Sequence, residues 1–178
     1  MVNTIIRTLL VAAFSLVGMR AAVAADPPQV ERFDDWQMRC FNVKSASPCD
    51  VIYGLYQKKT GLRIVMVSIA YAPSKNVSFM QVALPLGIAV TKGATFKAGG
   101  FVSTPLEIRR CDRNGCFAEL IAAPELIEGL LANADSAGSI EIVADGGKPL
   151  SLGLSLKGFS RAYDAMKSAA AQRTKSGR

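Results

Sequence analysis

The chain has 178 residues, with 21 Lys and Arg against 14 Asp and Glu, and no histidine. That length suits a single domain with a proper core. The missing histidine removes the usual general base, the commonest metal ligand, and the Ser-His and Cys-His nucleophile pairs.

The surplus positive charge is not spread as a nucleic-acid binder carries it. Lys167, Arg173, Lys175 and Arg178 stand in the last twelve positions, which hold no acid. The body shows no basic stripe with aromatics between the charges, so nucleic acid is not an expected partner. The N-terminus reads as an export leader. Arg7 precedes an apolar run at 8–18, followed by Met19-Arg20 and then Ala21-Ala22-Val23-Ala24-Ala25. This is the order of a secretory signal, and Ala22-Val23-Ala24 fits its small-residue cleavage pattern. The run has 11 residues, against the roughly 20 that a spanning helix needs. Residues 1–24 are therefore expected to be removed. The mature chain is then periplasmic, attached to the cell envelope, or extracellular. Removal takes Arg7 and Arg20 and leaves 19 basic against 14 acidic residues.

Residues 25–32 are polar and proline-marked and read as a disordered lead-in to one disulfide-stapled, β-rich domain over 33–171. From Trp36 the chain alternates: Trp36, Met38 and Cys40 share one face, Gln37 and Arg39 the other, as in a half-buried strand. The next strand spans 49–57. Residues 62–70, rich in Val and Ile and only weakly alternating, predict a central strand covered on both faces. After a loop containing Pro73, a strand spans 78–84 and ends at Pro85. Residues 86–90 extend further, and 94–97 form a short strand. Residues 101–110 and 116–121 predict one hairpin. Pro124 suits a first helical position, with Leu126, Ile127, Leu130 and Leu131 on one face of a helix to about 133. Residues 140–144 and 150–156 predict a second hairpin across Asp145-Gly146-Gly147. Leu150, Leu152, Leu154 and Leu156 give the cleanest alternation in the chain. Ser160 can cap a last helix over 160–171, leaving 172–178 as a basic, flexible tail. The predicted fold is mostly β: an antiparallel sandwich or barrel-like domain with two helices.

Four cysteines in an exported chain read as two disulfides. Three pairings exist, and the local ones, Cys40–Cys49 and Cys111–Cys116, are favoured because each brackets a turn-rich stretch. Asn114-Gly115 is a strong tight-turn signal, and such turns hold flanking Cα atoms within the ~7 Å limit for a disulfide. A zinc site is the rival reading, disfavoured by the spacings and the absent histidine.

Little else carries chemistry. There is no G-x-S-x-G elbow, no S-x-x-K and no phosphate loop. Gly146-Gly147-Lys148 is a hairpin turn, and Asn76-Val77-Ser78 matches a glycosylation triplet that short stretches often match by chance. Two acids distant in sequence could still meet in a cleft. Arg109, Arg110 and Arg113, around the second disulfide loop, are candidates for contacting an acidic partner. Lys167, Arg173, Lys175 and Arg178 are candidates for weak contact with an anionic membrane surface.

Several features recur in a fixed order: Trp36 with Cys40 and Cys49; Leu84-Pro85-Leu86-Gly87 followed by Gly93; Cys111 with Gly115-Cys116; and Lys157-Gly158-Phe159. In that order and spacing the chain resembles the invasion-associated locus B family of bacterial envelope proteins, from about Phe33 to Met166. Where that family often has Gly-Asp-Trp, this chain has Asp34-Asp35-Trp36. The resemblance implies an exported periplasmic or envelope protein whose founding members are linked to host-cell invasion. It implies no established catalytic residue and no cofactor. The expected function is binding or host interaction, without enzymatic activity, toward an unidentified envelope or host protein. The alternatives are an envelope-integrity or stress factor without a dedicated ligand, and a carboxylate-based hydrolase.

Overall fold

The computed structural model describes residues 27–176; the leader at 1–24 and Arg178 lie outside that range. The chain builds β1 (Gln29–Phe33), β2 (Trp36–Cys40), β3 (Cys49–Tyr56), β4 (Arg63–Ala72) and β5 (Val77–Leu84). There follow β6 (Thr95–Ala98), β7 (Phe101–Val102), β8 (Ile108–Asp112), β9 (Gly115–Ala122) and α1 (Pro124–Ala132). The chain closes with β10 (Ala137–Val143), β11 (Pro149–Ser155) and α2 (Phe159–Ser176). Two antiparallel sheets result. One has seven strands in the order β1-β2-β3-β4-β5-β9-β8, the other four in the order β11-β10-β6-β7. The architecture is a mostly-β, two-sheet fold with two helices. Of the two forms expected, the closed, barrel-like one is not adopted.

Period-2 patterning sets the inner faces. Trp36, Met38 and Cys40 of β2, Cys49, Val51 and Tyr53 of β3, and Val65, Val67 and Ile69 of β4 are buried, while the residues between them are not. The expectation that β4 is covered on both faces does not hold. Met66, Ser68 and Ala70 are half-buried on the outer face, shielded by neighbours within the sheet rather than by a second layer. Against the inner face lies α2, whose Phe159, Ala162, Tyr163, Met166 and Ala170 recur at helical spacing and are buried. The opposing sheet adds Phe96, Ile140, Ile142 and Leu154 to the same core.

Trp36 joins all three parts. Its ring lies 4.7 Å from that of Phe159 and 5.6 Å from that of Tyr53. Its Nε1 donates to the Ser155 carbonyl at 2.9 Å, tying the first sheet to the free edge of β11.

Five further expectations are corrected. The lead-in at 25–32 is not disordered where it is described, because Gln29–Phe33 form β1 and pair with β2. The 101–110 arm is not one strand. Phe101–Val102 joins the four-stranded sheet and Ile108–Asp112 the seven-stranded one. Pro105 lies between them, and lacking an N–H it cannot continue a ladder. Residues 86–90 make a single bridge, Ile88 to Ala144, before a short helical turn at Val90–Lys92. The last helix begins at Phe159 rather than after a Ser160 cap. It also runs to Ser176, so 172–176 are helical and not a flexible tail.

Gly158 explains the start of α2. Its φ is +82°, a region that disfavours side chains, and a Cβ there would run into the Phe33 carbonyl. Its N–H donates to Asp135 Oδ1 at 2.9 Å, and its carbonyl accepts from the Ala162 N–H. Gly158→Ala is expected to destabilise the domain by roughly 2–5 kcal/mol, combining backbone strain with overpacking. A urea-denaturation midpoint within experimental error of the parent would contradict that reading.

Candidate functional site

The second disulfide closes the β8–β9 hairpin, with Cys111 and Cys116 directly opposite and their Cα atoms 4.0 Å apart. Around it the three expected arginines do not form one patch. Arg110 lies over the Phe117 ring at 3.9 Å and pairs with Asp112 at 2.6 Å and Glu119 at 2.9 Å. Hydrogen bonds from Arg110 first, and Gln81 second, hold the Glu119 carboxyl below its usual range. Arg109, next in the strand, takes Glu107 at 3.3 Å, and Arg113 is exposed at the tip. Two of the three charges are thus already matched by carboxylates.

The basic end also divides. The Lys167 ammonium sits over the rings of Tyr71 and Tyr163, at 5.2 and 5.7 Å. Arg173 reaches across to β1 and donates to Gln29 Oε1 at 2.8 Å. Lys175 is exposed. Because α2 continues as helix, Arg173 and Lys175 stand at a fixed place beside the loop between β2 and β3.

That place is a groove of 1140 Å³. One wall is the last turns of α2, where Ala165, Ser168, Ala169 and Gln172 follow helical spacing and three of the four are small. The other wall is the 41–48 loop, closed by the Cys40–Cys49 disulfide. These two cysteines face each other across β2 and β3 with Cα atoms 4.1 Å apart, and both are buried. Gln29 and Glu31 of β1 line a third side. Lys44 brings a positive charge from the loop, and Arg173 and Lys175 bring two from the helix. Glu31 is the one carboxylate among the described residues of the lining. Local sequence pattern could not show Lys44 as part of this set, since it lies far from Arg173 along the chain and within an unpatterned loop.

Both expected disulfides are present, and no cysteine is free. Among the described residues, no three His, Cys, Asp or Glu stand close enough to hold a metal ion. No helix among them is long and apolar enough to cross a membrane.

The sequence model of the invasion associated locus B (IalB) protein family matches residues 36–167. Invasion protein B homologs from two strains of Brucella abortus are each 22% identical over 134 residues, covering 75% of this chain and 76% of theirs. The crystal structure of invasion associated protein b from Bartonella henselae has a TM-score of 0.66 and 23% identity, over 80% of this chain and 99% of that one. That likeness establishes the shared fold, and the sequence match spans the first disulfide, the second, and the first half of α2. The chain belongs to the invasion associated locus B (IalB) protein family.

Proposed function

We propose that this chain is an exported envelope protein that acts by binding an anionic partner in the groove at the end of α2. The observation that carries the reading is the convergence of Lys44, Arg173 and Lys175, from two separate elements, on a groove whose described residues include one carboxylate. Two closed disulfides fit an oxidising compartment, as does the signal-like order of residues 1–24. The absence of histidine, and a single carboxylate among the described residues of the groove, support binding over hydrolysis. The names of the relatives concern invasion; for this chain the proposed step is recognition of an acidic surface on the host or in its own envelope.

Lys44→Glu, Arg173→Glu and Lys175→Glu together should weaken binding to phosphatidylglycerol-containing vesicles on the order of a hundredfold, at about 1 kcal/mol per basic residue. Binding by the parent should also fall with added salt. Reversing Lys58, Lys59 and Lys92, away from the groove, changes net charge equally and should leave most of the binding intact. Equal loss in both variants, or none in the first, would contradict the assignment to this groove.

A further inference from the structure

The two sheets have four edges, and three are closed. The outer carbonyls of Gly153 and Ser155 on β11 already accept from Tyr53 Oη and Trp36 Nε1. β7 is two residues long, and its Phe101 ring lies against Gly129 of α1. β8 carries a register shift between Ile108 and Arg110, together with the disulfide at Cys111. A bulge and a short length are the usual devices that keep an edge from pairing.

β1 has none of these devices. It pairs with β2 in unbroken register from Gln29↔Cys40 to Phe33↔Trp36, and no described strand lies on its other side. The two-residue Asp34-Asp35 loop makes Phe33 and Trp36 a hydrogen-bonded closing pair, so Glu31 and Gln29 also turn their backbone groups toward β2. Cys40 then faces β1, which leaves Cys40–Cys49 as a non-hydrogen-bonded pair, in keeping with its 4.1 Å Cα separation. Alternation turns the N–H and C=O of Val30 and Arg32 outward. Gln29 and Glu31 project to the groove side, and Val30 and Arg32 to the outer face.

We infer that β1 is a docking edge that takes an extended acidic polypeptide segment as an added strand. This rests on the groove reading and names the partner's chemistry. A segment laid along β1 would gain backbone hydrogen bonds from Val30 and Arg32. It would also run beneath Arg173, whose guanidinium already reaches Gln29. Among the described residues, Lys44, Arg173 and Lys175 line the groove beside this edge against Glu31, and Arg32 lies on the strand's outer face; Asp34 and Asp35 at its end are already taken up by Lys157 and Arg161 and by Ser155. That balance selects acidic side chains on the incoming strand. It also disfavours a second copy of this chain. Antiparallel pairing of two β1 strands about Glu31 sets glutamate against glutamate, and any such pairing draws two basic helix ends together.

The test uses a fluorescein-labelled ten-residue peptide of alternating threonine and glutamate, followed by anisotropy. The parent protein should bind it, and a threonine–lysine peptide should not bind. Val30→Pro removes one outward N–H and leaves the β1–β2 bonds, and it should weaken binding at least tenfold. The acidic peptide N-methylated at every amide should lose binding to the unaltered protein, a result independent of whether the proline variant folds. Equal binding of the N-methylated peptide would overturn strand addition. Failure of the acidic peptide to bind at all would overturn the inference, and if vesicle binding stayed sensitive to Lys44, Arg173 and Lys175 the groove reading would stand. Concentration-dependent dimerisation abolished by Val30→Pro would assign the edge to a second copy and overturn the acidic partner.

Discussion

Replacing Trp36 by alanine is expected to cost roughly 3–5 kcal/mol, the usual range for a fully buried aromatic. Three effects add at this position. The indole is wholly buried among Tyr53 and Phe159, so its removal leaves a void at the meeting point of both sheets and α2. Its loss frees the Ser155 carbonyl, an edge acceptor with no described strand beside it. It also loosens the start of α2 at Phe159, and with it the helix that ends in the groove. A domain of this size is stable by only about 5–15 kcal/mol, so one substitution removes a large share. Trp36→Phe keeps most of the volume and should cost less than half as much. Urea midpoints of the two variants measure the difference, and near-parental stability in the alanine variant would contradict the central placement of Trp36.

Removing the Cys40–Cys49 disulfide should have the next largest effect. The cysteines are nine positions apart, a closure worth about 3 kcal/mol in the chain-entropy account. Both are buried, so substituting alanine also exposes a packing defect, and the total should reach roughly 3–5 kcal/mol. This bond also fixes the loop that carries Lys44, so anion binding should weaken together with stability. Cys111 and Cys116 close a shorter span of five positions, and Cys111 is exposed. Their replacement belongs at the low end of the roughly 2–5 kcal/mol range for a native disulfide. The same contrast in exposure sets the order of reduction. Under limiting dithiothreitol, alkylation should label Cys111 and Cys116 while Cys40 and Cys49 stay protected. The reverse order would contradict the burial of the first bond.

Much of the fold is legible because burial on one face writes a period of two. Trp36-Gln37-Met38-Arg39-Cys40 and Leu150 to Leu156 show it plainly, and Pro124 and Asn114-Gly115 mark a helix start and a turn by their own backbone chemistry. The period does not say which sheet a strand joins. Phe101 to Arg110 alternates tolerably throughout, yet Pro105 splits it between two sheets. Nor does it reveal an edge strand with little to bury. Gln29 to Glu31 are polar or exposed, and pairing with β2 is what orders them. The reach of α2 was hidden for another reason: its last turns are polar and small. No Gly or Pro stands between Phe159 and Ser176, so the helix continues past its buried residues with no buried face to announce it. The candidate site suffered most. The arginines near Cys111 were conspicuous as neighbours in sequence, but strand geometry and nearby carboxylates disperse them. Lys44 and Arg173 are brought together only by the tertiary fold.

The claim that this is an exported, oxidised envelope protein is tested most directly by intact-mass analysis and non-reducing peptide mapping of the protein from fractionated native cells. The predicted result is an N-terminus at Ala25 or Asp26 in the envelope or periplasmic fraction, with Cys40 linked to Cys49, Cys111 linked to Cys116 and no free thiol. A chain retaining Met1, a cytoplasmic location with free thiols, or crosswise cysteine pairs would contradict it.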